Sequence, residues 1–362
     1  MISRNKWVVR LICFFCFAVY YEAVVHDHNV LAVSRSTVSK TLSLVLKIIV
    51  DKLGVSSFPV DNPDKLEELA QGFRSKSCGQ LFSNVVGAFD GYLLRISRKC
   101  LHKQANTSKY FCLKQFWAIN CQVGCDSERR VTYLSIMCPG ATPDILAHCA
   151  GPLHGAILSG QLDKKWQFVG DAAFPAHYDE HPGVFLIPYT RSDLRDPETR
   201  QDRDSFNYYL SQIRIIVECC FGMIVSKFRV LSRPLETTSL KRAVLTFQAC
   251  CALHNFLINC RIEEGKAEPP MTSPRGCRLV QRPDLGTNVD VQFVEVPTVD
   301  NECVMWTQTF DKRSDDRPPN VPLDPTSDRK CPTREEMVDR VAKSGYIRPH
   351  SYGRMVHPYV HY

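Results

Sequence analysis

The chain is short of the features that mark a disulfide scaffold, a zinc module or a membrane span. Its 17 cysteines contain one CxxC unit, Cys13 and Cys16, with no second pair and no neighbouring pair of histidines, which argues against a four-ligand zinc site. Many of the rest fall in apolar segments such as Cys219-Cys220 and Cys250-Cys251, as buried reduced thiols of an intracellular protein do. Arg4, Lys6 and Arg10 precede an apolar run from Leu11 to Tyr21 that looks like the start of a secretory signal. That run is too short to cross a bilayer, and no Ala-x-Ala site follows it cleanly. A buried helix is the preferred reading, a secreted or anchored protein the alternative, and no membrane partner is expected.

Fibrous repeats are absent as well, and the excess of charge is small. With 362 residues and 44% hydrophobic content the chain can bury one large domain and still carry a smaller module and a tail. The net charge of +7 is modest, but basic residues gather from Arg95 to Lys103, at Lys164-Lys165 and around Lys227-Phe228-Arg229 with Arg233, Lys241 and Arg242. Such clusters suit a polyanion, although solvated faces look the same.

Periodicity divides the chain. From Ser34, a plausible N-cap, Val38, Leu42, Val45, Leu46 and Ile49 repeat at helical spacing and leave Arg35, Ser36, Thr37, Ser39 and Lys40 on the outer face. A recognition helix of a helix-turn-helix presents short polar residues in this way; an ordinary amphipathic helix fits equally well. A polar stretch near 59–79 follows. Strand-like runs then cover Val85 to Ile96, Tyr110 to Gly124, Val131 to Cys138 and Trp166 to Gly170, with helical character from Asp144 to Leu158. The charged stretch Asp193 to Asp204 reads as a surface loop. Long helices are expected from about Phe206 to Phe228 and Ser239 to Cys260. Beyond Gly265 the sequence is Pro-rich and polar, relieved by a short helix near Thr333 to Ser344, with Thr333 and Glu336 in capping-box spacing. Strands, a helix, a strand and further helices describe an α/β core.

Three carboxylates stand in tight local contexts: Asp90 in Gly87-Ala88-Phe89-Asp90-Gly91, Asp171 in Val169-Gly170-Asp171-Ala172-Ala173-Phe174-Pro175, and Glu218 in Val217-Glu218-Cys219-Cys220-Phe221-Gly222. Two end apolar strand-like runs and one sits within a helix. Carboxylates brought together repel unless a divalent cation lies between them, and Mg²⁺, which prefers oxygen ligands and readily adds phosphate oxygens, suits them best. A pair of such ions supports in-line displacement at a phosphodiester. Arg214 precedes Glu218 by one helical turn, placed either to orient it or touch phosphate, or simply to form an i,i+4 ion pair.

The longer strings Gly170-Asp171-Ala172-Ala173-Phe174-Pro175, Phe206-Asn207-Tyr208-Tyr209-Leu210-Ser211-Gln212-Ile213-Arg214, Lys227-Phe228-Arg229-Val230-Leu231 and Ala249-Cys250-Cys251-Ala252-Leu253-His254-Asn255-Phe256 resemble the PIF/Harbinger transposases and their nuclease relatives in the DDE superfamily, in order and spacing too. The resemblance implies an RNase H-like catalytic core with a small N-terminal helix-turn-helix-like region. It implies that Asp90, Asp171 and Glu218 are the catalytic, metal-binding triad for Mg²⁺ or Mn²⁺, two ions in all, and it sets Asp144 in a second tier. Expected partners are DNA, a Myb-like protein and a second copy of the chain; the expected location is the nucleus. Two departures stand out. Tyr92-Leu93 replaces the usual polar residue after Asp-Gly, and the family's Tyr-x-Asn-x-Lys-Gly stands as Tyr110-Phe111-Cys112-Leu113-Lys114-Gln115, keeping Lys114 as a DNA contact. The domains expected are a helical, HTH-like and truncated-looking region at 1–58, a linker at 59–79, the nuclease core at 80–262 and an irregular tail at 263–362. A metal-dependent endonuclease is the leading reading; a catalytically retired DNA- or protein-binding descendant is the alternative. His254 reads as a core residue.

Overall fold

In the computed structural model, which describes residues 35–174, 181, 183–265, 332–345 and 348, the architecture is α/β. Strands β1 (Val85–Arg95), β2 (Ala118–Cys125), β3 (Val131–Pro139), β4 (Gln167–Val169) and β5 (Phe185–Leu186) form one mixed sheet in the order β3-β2-β1-β4-β5. β2 and β3 pair antiparallel, while β4 pairs parallel with both β1 and β5. The chain alternates between two compact units, changing over after Phe58, Phe89, His154, Gly222 and Glu268, so β1 serves both. The apolar run 11–21 with Cys13 and Cys16, the cap Ser34 and the Pro-rich 266–331 lie outside the described residues.

The first unit holds the second half of β1, the β2–β3 hairpin and helices α1 (Arg35–Leu53), α3 (Asp144–Cys149) and α6 (Leu240–Glu263). α1 buries Leu42, Leu46 and Ile49 and packs along α6, the stripe its periodicity announces. The hairpin turn is closed by the buried Asp126, which accepts the N–H groups of Glu128 (2.9 Å) and Arg130 (2.8 Å) and the Arg130 Nε (2.6 Å). Burial pushes the Asp126 carboxyl up in pKa while the Arg130 guanidinium opposes it. From α6, Asn255 brackets the start of β3, accepting from the Val131 N–H (2.7 Å) and donating to its carbonyl (2.8 Å). His254, fully buried, sets Nε2 2.7 Å from the Arg129 carbonyl.

The second unit carries β4, β5, most of α5 (Arg200–Lys227), helix α2 (Pro63–Lys76) and helix α7 (Pro332–Lys343). α2 occupies the stretch expected as a linker. Its signals are local: Asn62 accepts from the Lys65 N–H (3.0 Å), Pro63 takes the first turn, and Leu66, Leu69, Ala70 and Phe73 form a buried stripe. Phe89, Phe168, Phe174 and Phe185 make an aromatic cluster with centroid separations of 4.8 to 5.7 Å. Within the tail, α7 docks by Met337, Val338 and Val341 and stacks Arg334 over Tyr189, whose hydroxyl donates to Glu335 (3.0 Å). α7 begins at Pro332, so Thr333 lies inside the helix and not at its cap.

Three boundaries differ from expectation for physical reasons. β2 starts at Ala118, because residues 111–117 form a tight turn in which Cys112 N–H meets the Phe116 carbonyl (2.9 Å). The helical segment from Asp144 breaks into α3 and α4 (Pro152–Leu158) at Gly151, where a Cβ would collide with the Tyr133 hydroxyl, followed by a proline that cannot continue the first ladder. α5 starts at Arg200, because Arg200 and Arg203 donate backbone bonds to Asp196 and Thr199 and draw the polar residues into its first turns. Both α5 and α6 match the length and hydropathy of a membrane span, and both place core residues such as Ile213, Val217, Phe247 and Leu253 against their own units.

His148 on α3 is fully buried, and burial, reinforced by His154, holds its pKa down at about 4 against the ordinary 6.5. The unfolded chain therefore takes up a proton below about 6.5 that the folded chain refuses until about 4. Stability should fall as pH drops through that window, by about 3 kcal/mol at its foot, since a difference of one pH unit between the folded and unfolded values is worth about 1.4 kcal/mol. Urea melts of wild type and His148→Phe at about pH 7 and pH 4.5 check this: the substitution should flatten the pH dependence.

Candidate metal centre

Asp90 lies within β1, not at its end as the sequence suggests. Ala88 pairs with Val169, and Asp90 and Asp171 each follow that parallel pair by two residues. Asp90 Oδ1 accepts the N–H of Gly91 (2.8 Å). Asp171 stands two residues past β4 in a compact turn: its Oδ1 accepts the Ala173 N–H (2.8 Å), and its carbonyl accepts the Phe174 N–H (3.2 Å). The turn folds Phe174 back over Gly170, where any Cβ would meet that ring at 3.0 Å, and stacks it on Phe185. The Gly-Asp-Ala-Ala-Phe string is thus a device for placing one half-buried carboxylate at a strand end.

Glu218 faces partly outward from α5 and pairs with Arg214, Nη1 to Oε1 2.7 Å. The i,i+4 ion pair is formed, so Arg214 is engaged with the carboxylate. Upstream on the same helix Asn207 brackets Tyr189, accepting its N–H (2.7 Å) and donating to its carbonyl (3.0 Å). Asn207 and Asn255 do the same work in the two units: each offers a side-chain amide in place of a neighbouring strand. Sequence reading left the role of Asn207 unassigned; the signal is an Asn directly flanked by aromatic residues within a helix.

Asp144 opens α3, and its Oδ1 accepts Nδ2 of Asn120 (2.9 Å) and Nε2 of Gln122 (3.0 Å), both buried on β2. Asn120 also donates to the Thr142 carbonyl and accepts the second Gln122 N–H (2.9 Å). The carboxylate lies directly against Gly91, filling the place where a Cβ would stand. Asp144 therefore touches the residue next to Asp90 within the first unit, and Asn120 and Gln122, missed from sequence, hold it there.

Among the described residues no group of three or more His, Cys, Asp or Glu side chains could hold a metal ion. Asp90 belongs to the first unit, Asp171 and Glu218 to the second. As a donor set, the three carboxylates are hard oxygen ligands with no thiolate or imidazole among them, which fits Mg²⁺ or Mn²⁺.

Of the expected DNA contacts, Ser36, Thr37 and Lys40 are exposed on α1 or nearly so, and Arg35 opens that helix. Ser39 is half-buried and its hydroxyl accepts a hydrogen bond from Arg242 of α6, so packing claims it. Lys114 is exposed in the 111–117 turn. There Gln115 stands where the resembled family has Gly and adopts φ +65°, a left-handed conformation that disfavours a side chain by about 1 kcal/mol. Gln115→Gly should raise the unfolding free energy by about that amount in a urea melt.

A family model described as DDE superfamily endonuclease matches residues 89–255. The matched stretch contains Asp90, Asp144, Asp171 and Glu218. No curated protein and no solved structure matches the chain.

Proposed function

We propose that the chain is a divalent-metal-dependent DNA endonuclease of the PIF/Harbinger kind, hydrolysing or transferring phosphodiesters with Asp90, Asp171 and Glu218 as catalytic and metal-binding residues. The observation that carries it is the endonuclease-family match enclosing all three carboxylates. The strand order β3-β2-β1-β4-β5, with the antiparallel pair on one side and parallel pairs on the other, supports an RNase H-like core.

When bound, two Mg²⁺ or Mn²⁺ ions supply Lewis-acid polarisation of the phosphate and an activated water or 3′-hydroxyl. The chain's own residues prepare that site. Asp90 on its strand and Asp171 in its Asx turn are held by backbone hydrogen bonds, and Arg214 orients Glu218. Asp144 braces the strand beside Asp90. Ser36, Thr37 and Lys40 on α1, with Lys114, are offered to DNA in the HTH-like manner. Action in the nucleus, with a Myb-like protein and as a homo-oligomer, belongs to the same reading.

A second reading, a retired descendant that binds DNA or protein, is favoured by two observations: Glu218 is already neutralised by Arg214, and the turn at Gln115 has lost the glycine its backbone asks for. Incubating the purified protein with supercoiled plasmid separates the two. Relaxation that needs Mg²⁺ or Mn²⁺ and stops with EDTA supports the enzyme; binding without relaxation in either metal supports the retired form.

A further inference from the structure

At the N-terminal end of α5, within the second unit, a cavity of about 530 Å³ is lined by Arg191, Leu194, Arg195, Arg200, Asp204 and Arg348. We propose that this cavity grips the phosphate backbone of duplex DNA, well along α5 from Glu218, as a second anchor for the substrate of the endonuclease reading on which it rests.

The segment from Thr190 to Asp204 is mixed in sign, and the fold sorts the signs. Asp193 is turned onto Thr190, accepting its N–H (2.7 Å) and hydroxyl (2.8 Å). Asp196 is turned onto the Glu198 N–H (3.1 Å) and the Thr199 hydroxyl (2.9 Å). Arg203 points elsewhere, donating to the Asp193 carbonyl (2.9 Å) and lying over Tyr189. What remains on the cavity is four guanidiniums and one carboxylate. Arg348 pairs with Asp204 at 2.7 Å, while the exposed side chains of Arg191, Arg195 and Arg200 make no ion pair or hydrogen bond among the described residues.

Three cations without an ion pair among the described residues, at the positive end of a 28-residue helix, repel one another and the helix dipole; an anion converts that repulsion into attraction. Guanidinium forks match phosphate oxygens in pairs. Among the described lining residues Leu194 is the one apolar side chain and none is aromatic, so they offer no platform on which a base could stack. The cavity recognises charge and not sequence, as contacts to a nucleic-acid backbone do. Arg200 and Glu218 lie 18 residues apart on α5, about 27 Å at 1.5 Å per residue, the span of about 8 base pairs. A duplex cut beside Glu218 and held at the cavity would run along this helix.

The test is binding of a fluorescent duplex of about 30 base pairs, by anisotropy, to wild type and to Arg191→Gln/Arg195→Gln/Arg200→Gln, in EDTA so that cleavage does not enter. The dissociation constant should rise at least about tenfold at about 100 mM salt, and the slope of log K against log salt should flatten by about 2 to 3, close to one for each phosphate no longer neutralised. Equal affinities and slopes, no binding of DNA by wild type, or lost binding of a multiply phosphorylated peptide with DNA binding intact would each overturn the proposal. If the triple variant fails to fold, Arg195→Glu alone, at an exposed site, should still reduce affinity and slope. Failure of the endonuclease reading appears separately, as a wild type that binds this duplex with the steep slope and does not nick plasmid in Mg²⁺.

Discussion

Asp171→Asn should abolish metal-dependent plasmid relaxation while leaving the protein folded. Asparagine keeps an Oδ1 that can accept the Ala173 N–H, so the turn after β4 and the stacking of Phe174 on Phe185 survive. What is lost is one negative charge and one oxygen donor. Removing outer partners of metal ligands costs about 10- to 100-fold in affinity or activity, so loss of a ligand should cost at least about a hundredfold in initial nicking rate, in Mg²⁺ and Mn²⁺ alike. Glu218→Gln should behave the same way, with a stability cost limited to a half-exposed i,i+4 pair of about 0.5 kcal/mol or less. Thermal melts of each variant separate folding from chemistry. Nicking by Asp171→Asn within a few-fold of wild type would remove Asp171 from the site.

How far such a site can be read from sequence depends on the range of the interaction. The local setting of Asp171 was legible because its turn is written in five consecutive residues, from Gly170 to Phe174, and that of Glu218 because Arg214 sits one helical turn away. The buried stripes of α1 and α5 were legible for the same reason, being periodic and local. Asp90 was set at a strand end, since Gly91 looks like a terminator until Asp144 is seen lying against it. Asn120 and Gln122 were invisible: they read as polar interruptions of a strand, and only the pairing of β2 with the start of α3 gives them an acceptor. The helix at Pro63–Lys76 was hidden by its polar face, although Asn62 and Pro63 announce it. Least legible was the arginine cavity. The stretch around it is nearly balanced in charge, and its arginines stand apart only once Asp193 and Asp196 hydrogen-bond within their own loop.

Gly91→Ala should be far more damaging than a single methyl suggests, and the damage should depend on Asp144. Gly91 does not require a left-handed backbone, for its φ is not positive; it is glycine because the Asp144 carboxylate occupies the place of a side chain, with Cγ 2.7 Å from a Cβ and Oδ1 closer still. A free carboxylate would swing aside cheaply. This one is fixed by two amide donors from residues 1–2% exposed, and Gln122 is turned so that both its N–H bonds are used while its Oε1 finds no partner among the described residues. Moving Asp144 strands those donors, at about 1–3 kcal/mol for each buried group left unsatisfied. Gly91→Ala should therefore cost about 2–4 kcal/mol in a urea melt, and Asp144→Ala a similar amount. Because both substitutions break one network, the double variant should cost well below their sum, a coupling of at least about 1 kcal/mol. Asp144→Asn keeps the Oδ1 acceptor and serves as the discriminating case. If Asp144 positions β1, this variant recovers most of the nicking that Asp144→Ala loses, with an unchanged Mg²⁺ requirement. If Asp144 binds metal, Asp144→Asn fails like Asp171→Asn and shifts the metal response to higher concentration. Additive costs in the cycle would show that Gly91 and Asp144 act independently and would detach the brace from Asp90.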